Sequence, residues 1–283
     1  MVSCDRKDWV VPYMLESQLV WVSIACYGAS AFFSALRPAS NHSIQHRLVF
    51  CLLLIGVLSL TVTLGLRWER IGHGPFVTMY EVLLSSAFSL GLIYMLAYQF
   101  IPATRVAAIL IIPFPFMLTV WALGMPSDPV HLPAKFDTNW LWLHVIAGKI
   151  FLGTCLVSVG LSGILLLQRL HPVLRDYLDL QDVDVLDGLV WRFLAVAFIF
   201  DSIMLVIGAV WAYDAWGRYW AWDPLETWAF ITWLTMAIVL HIRVTFDFPR
   251  WLSWSMVIAV FILAFLTFFG VPFLSLGPHK GIM

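Results

Sequence analysis

Charge is what this sequence has least of. Asp, Glu, Lys and Arg make up 12% of its 283 residues, about half the share of a soluble domain. Sixteen Lys and Arg against 17 Asp and Glu leave a net charge of -1. That balance offers no basic surface for nucleic acid and no field to steer an acidic substrate. Cysteine is scarce as well: Cys4, Cys26, Cys51 and Cys155 form no Cys-x-x-Cys or other close pair, and three lie inside apolar runs. They read as small buried hydrophobes, which disfavours a thiol-redox role for the chain itself. Low-complexity tracts and clear internal repeats are absent. The length leaves no room for a sizeable soluble appendage. No cleavable signal peptide is recognised, because the apolar run after Glu16 is about long enough to span a bilayer.

Apolar residues are abundant instead, at 61%. A span needs about 20 mainly apolar residues. Eight runs qualify, near residues 17–36, 48–66, 79–99, 104–124, 140–168, 190–213, 225–244 and 252–275. The expectation is an all-α integral membrane protein, one polytopic domain over residues 1–283. Its longest polar connection, Gln168 to Asp187, carries Arg169, Arg175, Asp176, Asp179, Asp182, Asp184 and Asp187. Eight spans put both termini on one side. One face then holds Arg37, Arg47, Arg105, Arg169, Arg175, Arg192, Arg243 and Arg250, and the other Arg6, Lys7, Arg67, Arg70, Lys135, Arg218 and Lys280. Eight against seven decides little by the positive-inside rule. The arginine-only face is assigned to the cytoplasm, which puts both termini outside.

The sequence is richest in chemistry between spans six and seven. Trp216-Gly217-Arg218-Tyr219-Trp220-Ala221-Trp222-Asp223-Pro224-Leu225-Glu226-Thr227-Trp228 packs four tryptophans and a tyrosine into thirteen positions, and Trp211 and Tyr213 extend the cluster upstream. An interfacial aromatic belt is the plain alternative. A belt, however, is spread over many helix ends and has no use for Gly, Asp-Pro and Glu fixed within one loop. A flat apolar macrocycle wants aromatic faces and edges around it, with a few polar groups to orient it.

The string Trp-Gly-x-x-Trp-x-Trp-Asp followed by Glu-Thr-Trp resembles the tryptophan-rich WWD signature of haem-handling membrane proteins. The form Trp-Asp-Pro-x-Glu-Thr-Trp is most similar to the CcsA/ResC branch of system II cytochrome c biogenesis. CcmC and CcmF share the core but are less similar after the Asp. The resemblance runs from about Arg67 to the C-terminus. It implies haem b bound on a segment of about residues 211–228. It implies working roles for Trp216, Trp220, Trp222, Asp223 and Glu226, with Trp228 completing the aromatic wall. Asp223 and Glu226 read equally as groups that orient loop backbone or an incoming peptide and as a structural Asp-Pro turn.

Eight histidines are candidates for axial ligation of haem iron: His42, His46, His73, His131, His144, His171, His241 and His279. His144 opens the fifth span and His279 follows the eighth, and span parity puts both on the face of the tryptophan loop. Two histidines flanking one platform are what bis-His ligation requires. They also fall at the places of the family's two outer-face ligands, although the family's Gly-Leu-His-Ser-Tyr is Gly277-Pro278-His279-Lys280-Gly281 here. His241 lies thirteen residues beyond Trp228, about 20 Å along a helix. The family implies that it ligates a second, intramembrane haem whose other ligand comes from a CcsB/ResB-like companion, with His42 or His46 as internal alternatives.

Gly72-His73-Gly74-Pro75-Phe76-Val77-Thr78-Met79-Tyr80-Glu81 resembles the family's Gly-x-x-Pro-x-x-Asn-x-Tyr-Glu element, with Thr78 in place of Asn. It reads as structural support or gating, with His73 a secondary candidate. Arg67, Arg70 and Arg218 are candidates for haem propionates or for lipid headgroups. Lys149 and Asp201, both inside spans, should face the bundle interior and find partners there. The implied activity is cytochrome c maturation at the outer face of a bacterial plasma membrane or thylakoid. Haem would enter near His241, move out to the platform and join the Cys-x-x-Cys-His thiols of apocytochrome c through thioether bonds. A CcsB/ResB-like membrane partner and a thiol-reducing partner complete the machine. Two other activities fit the same residues: a haem transporter or chaperone without lyase chemistry, and a b-type electron-transfer subunit. The outer-loop histidines argue against the second of these.

Overall fold

The structure, a computed structural model, describes residues 10–36, 42–130, 132–133, 138–171 and 182–274. All regular elements among them are helical. In chain order these are α1 (Val10–Ala35), α2 (His42–Ile71), α3 (Met79–Phe100), a 3-10 turn (Pro102–Ala107), α4 (Ala108–Ile111) and α5 (Pro113–Ala122). They continue with α6 (Asn139–Leu170), α7 (Val183–Trp216), α8 (Pro224–Thr245), α9 (Arg250–Phe265), a π-helical turn (Leu266–Gly270) and α10 (Val271–Leu274). Eight helical segments among the described residues are long and apolar enough to cross a membrane. Helices satisfy their own backbone polar groups, as a lipid environment demands. The chain is a multi-pass integral membrane protein, as its sequence predicts.

The predicted fourth span is not one regular helix. Pro113 has no N–H to give, and its ring clashes with the preceding turn. α4 therefore stops at Ile111, and α5 begins on Pro113 itself. The helices gather into two compact units: Met1–Met95 with Ile112–Leu132, and Leu96–Ile111 with Pro133–Met283.

In the first unit α1 and α2 form an antiparallel pair. Gln45 Nε2 donates to the carbonyls of Phe33 and Leu36 at 2.6 and 2.7 Å. At its polar end lies the fully buried Arg67, the largest side chain of this core. Its Nε donates to Glu81 Oε1 at 2.9 Å, Nη1 to Glu16 Oε1 at 3.1 Å and Nη2 to the Ser127 carbonyl at 3.1 Å. Arg70 reaches the other oxygen of Glu16 at 2.7 Å. Glu81 also closes a capping box on α3: its Oε2 accepts from the amides of Val77 and Thr78, and its own amide donates to Thr78 Oγ1. This reciprocal pairing satisfies helix-end donors, and Thr serves it well in the position where the family element has Asn. The end of the Gly72–Glu81 string thus caps α3.

In the second unit α6 and α7 form a long antiparallel pair, with α9 against α6 and α8 against α7 and α9. Small residues let the first pair approach closely, as membrane helix contacts favour; Ser158 Oγ donates to the Val190 carbonyl at 2.8 Å. At the end remote from the tryptophan loop, Asp187 ties α7, α8 and α9 together. It accepts from Arg243 at 2.7 Å, from the Trp254 indole at 2.7 Å and from the Trp191 indole at 3.2 Å. Asp201, in mid-α7, is fully buried. The expectation that it finds a partner is not met: neither carboxyl oxygen has a hydrogen-bond partner among the described residues.

Candidate functional site

The tryptophan loop is fixed at both ends by helix caps. Gly217, at φ 74°, ends α7 in the left-handed conformation and donates its amide to the Tyr213 carbonyl, as a glycine C-cap does. Asp223 begins α8: its Oδ1 accepts from the Glu226 amide at 2.9 Å, and Pro224 occupies the first helical position. Glu226 reaches back past this cap to accept from the Ala221 amide at 2.7 Å. Both carboxylates thus accept from backbone amides of the loop and the first turn of α8. Between the caps Trp222 takes a φ of 57°, a conformation uncommon for a bulky residue, and the residue is 68% exposed.

The aromatic residues are not scattered around a belt. Trp220 meets Trp222 edge-on at 5.7 Å, and both meet Phe230 edge-on at 6.3 and 6.4 Å. Phe230 stacks on Trp233 at 5.8 Å, and Trp233 on Phe198 of α7 at 5.5 Å. The Trp233 indole donates to Ser202 Oγ at 2.9 Å. One aromatic ladder therefore descends from the loop along α8 to α7. The other side of the loop carries a Trp211–Trp216 edge contact at 4.9 Å and a Tyr213–Tyr219 stack at 4.5 Å. Trp228 is partly exposed, and Arg218 and Tyr219 are exposed in the loop. The indole nitrogen of Trp220 is buried with no hydrogen-bond partner among the described residues.

His144, near the start of α6, belongs to this end of the unit. Its Nδ1 lies 2.9 Å from the carbonyl of Met204 on α7. A carbonyl only accepts, so Nδ1 carries the proton and the lone pair rests on Nε2. The ring stacks on Trp211, centroids 6.4 Å apart and planes 14° apart. Trp211 links the histidine to Trp216, so His144 is joined through two rings to the start of the tryptophan loop. His279 lies outside the described residues.

Other expected residues sit elsewhere. His241 is exposed on α8, at the end remote from the loop, with Nε2 3.5 Å from Thr245 Oγ1. Arg67 and Arg70 belong to the first unit, where Glu16, Glu81 and a carbonyl take their donors. A propionate there would have to displace a buried ion pair. His73 is buried between the carbonyls of Gly74 and Val130, at 3.0 and 2.8 Å. Phe198, Phe230 and Trp233 escaped the sequence reading. Their signal was their spacing on helix faces, which inside an apolar span looks like ordinary core.

The chain is similar to the cytochrome c biogenesis protein CcsA of Trachelium caeruleum, 32% identical over 260 residues, covering 79% of this chain and 82% of the relative. It is also similar to CcsA of Prochlorococcus marinus (strain MIT 9312), 27% identical and covering 94% of this chain and 96% of that one. Among solved structures, the cytochrome c haem lyase CcmF matches with a TM-score of 0.71 at 16% identity, over 91% of this chain. This chain spans only 46% of the length of that structure, and the likeness is one of fold. The family model described as cytochrome C assembly protein matches residues 76–279, and with those CcsA relatives it places this chain in the cytochrome c assembly family, on its CcsA side.

Proposed function

We propose that this member of a cytochrome c maturation family receives haem b at the tryptophan-loop end of its second unit and presents it to apocytochrome c. His144 is an axial ligand through Nε2. The observation that carries this reading is the His144 Nδ1 bond to the Met204 carbonyl at 2.9 Å with Trp211 stacked on the ring. Ligating histidines characteristically donate their other nitrogen to a carbonyl or carboxylate, which fixes tautomer and ring orientation.

The rest of the site suits the same substrate. The faces and edges of Trp216, Trp220 and Trp222 suit a planar macrocycle, Trp228 flanks them, and Arg218 is exposed for a propionate. The caps formed by Asp223 and Glu226 hold the loop in shape. His279 supplies the second outer ligand. His241, exposed on α8, takes haem at the opposite face with a histidine given in trans by a CcsB/ResB-like partner. The loop and both termini lie on the outer face of a bacterial plasma membrane or thylakoid. Thioether bonds form when the two Cys-x-x-Cys-His thiols of apocytochrome c, kept reduced by a thiol-reducing partner, add across the haem vinyl groups. The chain's part is to hold and orient the substrate.

The test is an absorption spectrum of the detergent-purified chain, reduced and oxidised, made with and without a ResB-like partner, beside a His144→Ala, His279→Ala double variant. A bis-His haem b spectrum that weakens in the variant supports the site. Wild-type chain that never holds haem overturns it, and an unchanged variant spectrum moves the ligands to His241 or His73. Covalent haem on a reporter cytochrome c supports thioether formation; its absence, with haem bound, leaves a haem chaperone.

A further inference from the structure

Gly208 leaves the space in which the His144 imidazole sits. A Cβ at position 208 would lie 2.7 Å from Nδ1 and 2.8 Å from Cε1 of that ring, and the ring supplies all three of its nearest atoms. Contacts that close are not tolerated by real side chains, and the ring cannot recede without losing the Met204 carbonyl at 2.9 Å. Met204, Gly208 and Trp211 stand at i, i+4 and i+7, which is one face of a helix. That face therefore offers the imidazole an acceptor, then a gap, then a stacking plane. The ring plane, the tautomer and the direction of Nε2 follow from all three. The acceptor and the stack are visible as contacts, whereas the gap is visible only as the residue that is missing a side chain.

We infer that Gly208 is a positioning residue of the haem site, required because any side chain there pushes the His144 imidazole off the Met204 carbonyl. This rests on the reading of His144 as an axial ligand. α7 itself provides a matched control. Gly188 lies on the same helix, and a Cβ added there meets nothing within 4 Å. Gly→Ala at an open helical position favours the helix, so backbone effects alone would make the two alanine variants behave alike.

The experiment compares Gly208→Ala and Gly188→Ala in the full chain by two readouts. The first, without haem, is 15N NMR of ring-labelled histidine, with the His144 signal identified by its loss in His144→Ala. Wild type and Gly188→Ala should show the Nδ1-protonated tautomer, and Gly208→Ala should lose it. The second is haem retention on purification, which should fall about tenfold in Gly208→Ala, the scale of losing a partner that orients a ligand, and recover on adding free imidazole. Should Gly208→Ala fold poorly, the double variant His144→Ala, Gly208→Ala decides: it should be as stable as His144→Ala alone. A Gly208→Ala chain with the wild-type tautomer signal, or a double variant as unstable as Gly208→Ala, overturns the inference. Wild type with the tautomer but no haem overturns only the ligand reading beneath it.

Discussion

Arg243 on α8 donates to Asp187 on α7 at 2.7 Å, and the same carboxylate takes two indole N–H groups from Trp191 and Trp254. Three helices of the second unit are therefore held at one end by a single acidic side chain. Asp187→Ala leaves a guanidinium and two indoles without their acceptor. The expected loss is about 2–3 kcal/mol, read as a lower midpoint of thermal unfolding in detergent.

Asp201 should behave in the opposite way. It is as deeply buried, but its oxygens have no hydrogen-bond partner among the described residues. An isosteric amide removes a buried carboxyl without breaking any bond described. Asp201→Asn is expected to match or exceed wild-type stability in the same thermal assay.

Arg67 serves the first unit much as Asp187 serves the second. Its fork joins Glu16, Glu81 and the Ser127 carbonyl with no exposure to solvent. Arg67→Lys keeps the charge but loses the fork, and Arg67→Ala leaves the buried Glu81 without a cation and Glu16 with Arg70 alone. The expected cost of the alanine is about 3–5 kcal/mol, with lysine intermediate, measured by thermal unfolding and by yield of folded protein.

The tryptophan loop separates capping from chemistry. Asp223→Ser keeps a helix cap and Glu226→Gln keeps an oxygen for the Ala221 amide, whereas alanine at either site removes the acceptor at about 1 kcal/mol. Haem retention should therefore survive in Asp223→Ser and Glu226→Gln and drop in both alanine variants. Glutamine behaving like alanine would mean that the negative charge of Glu226 acts on the substrate.

Much of the fold is legible in the sequence because a bilayer imposes one length and one composition on each span. The runs near 79–99 and 225–244 became Met79–Phe100 and Pro224–Thr245 almost unchanged. Local deviations are less legible. The run near 104–124 reads as one span although Pro113 interrupts the helix within it, and nothing in Leu266–Gly270 marks a π-helical turn. Within the candidate site, the tryptophans and His144 stand out by residue type. Arg67 was misleading, because a charge at the end of an apolar run looks like an interfacial residue until its buried carboxylates, 51 and 14 residues away, are brought to it. The Met204 carbonyl had no signature, since a main-chain acceptor belongs to every residue.

Trp222 combines an exposed position with a left-handed backbone. A side chain with a Cβ pays about 1–2 kcal/mol for that conformation, and glycine almost nothing. Selection for a more robust fold alone would drift this position toward glycine. A variant library screened for heat resistance and one screened for haem retention should accordingly part company at residue 222, the first enriching glycine and the second keeping the ring.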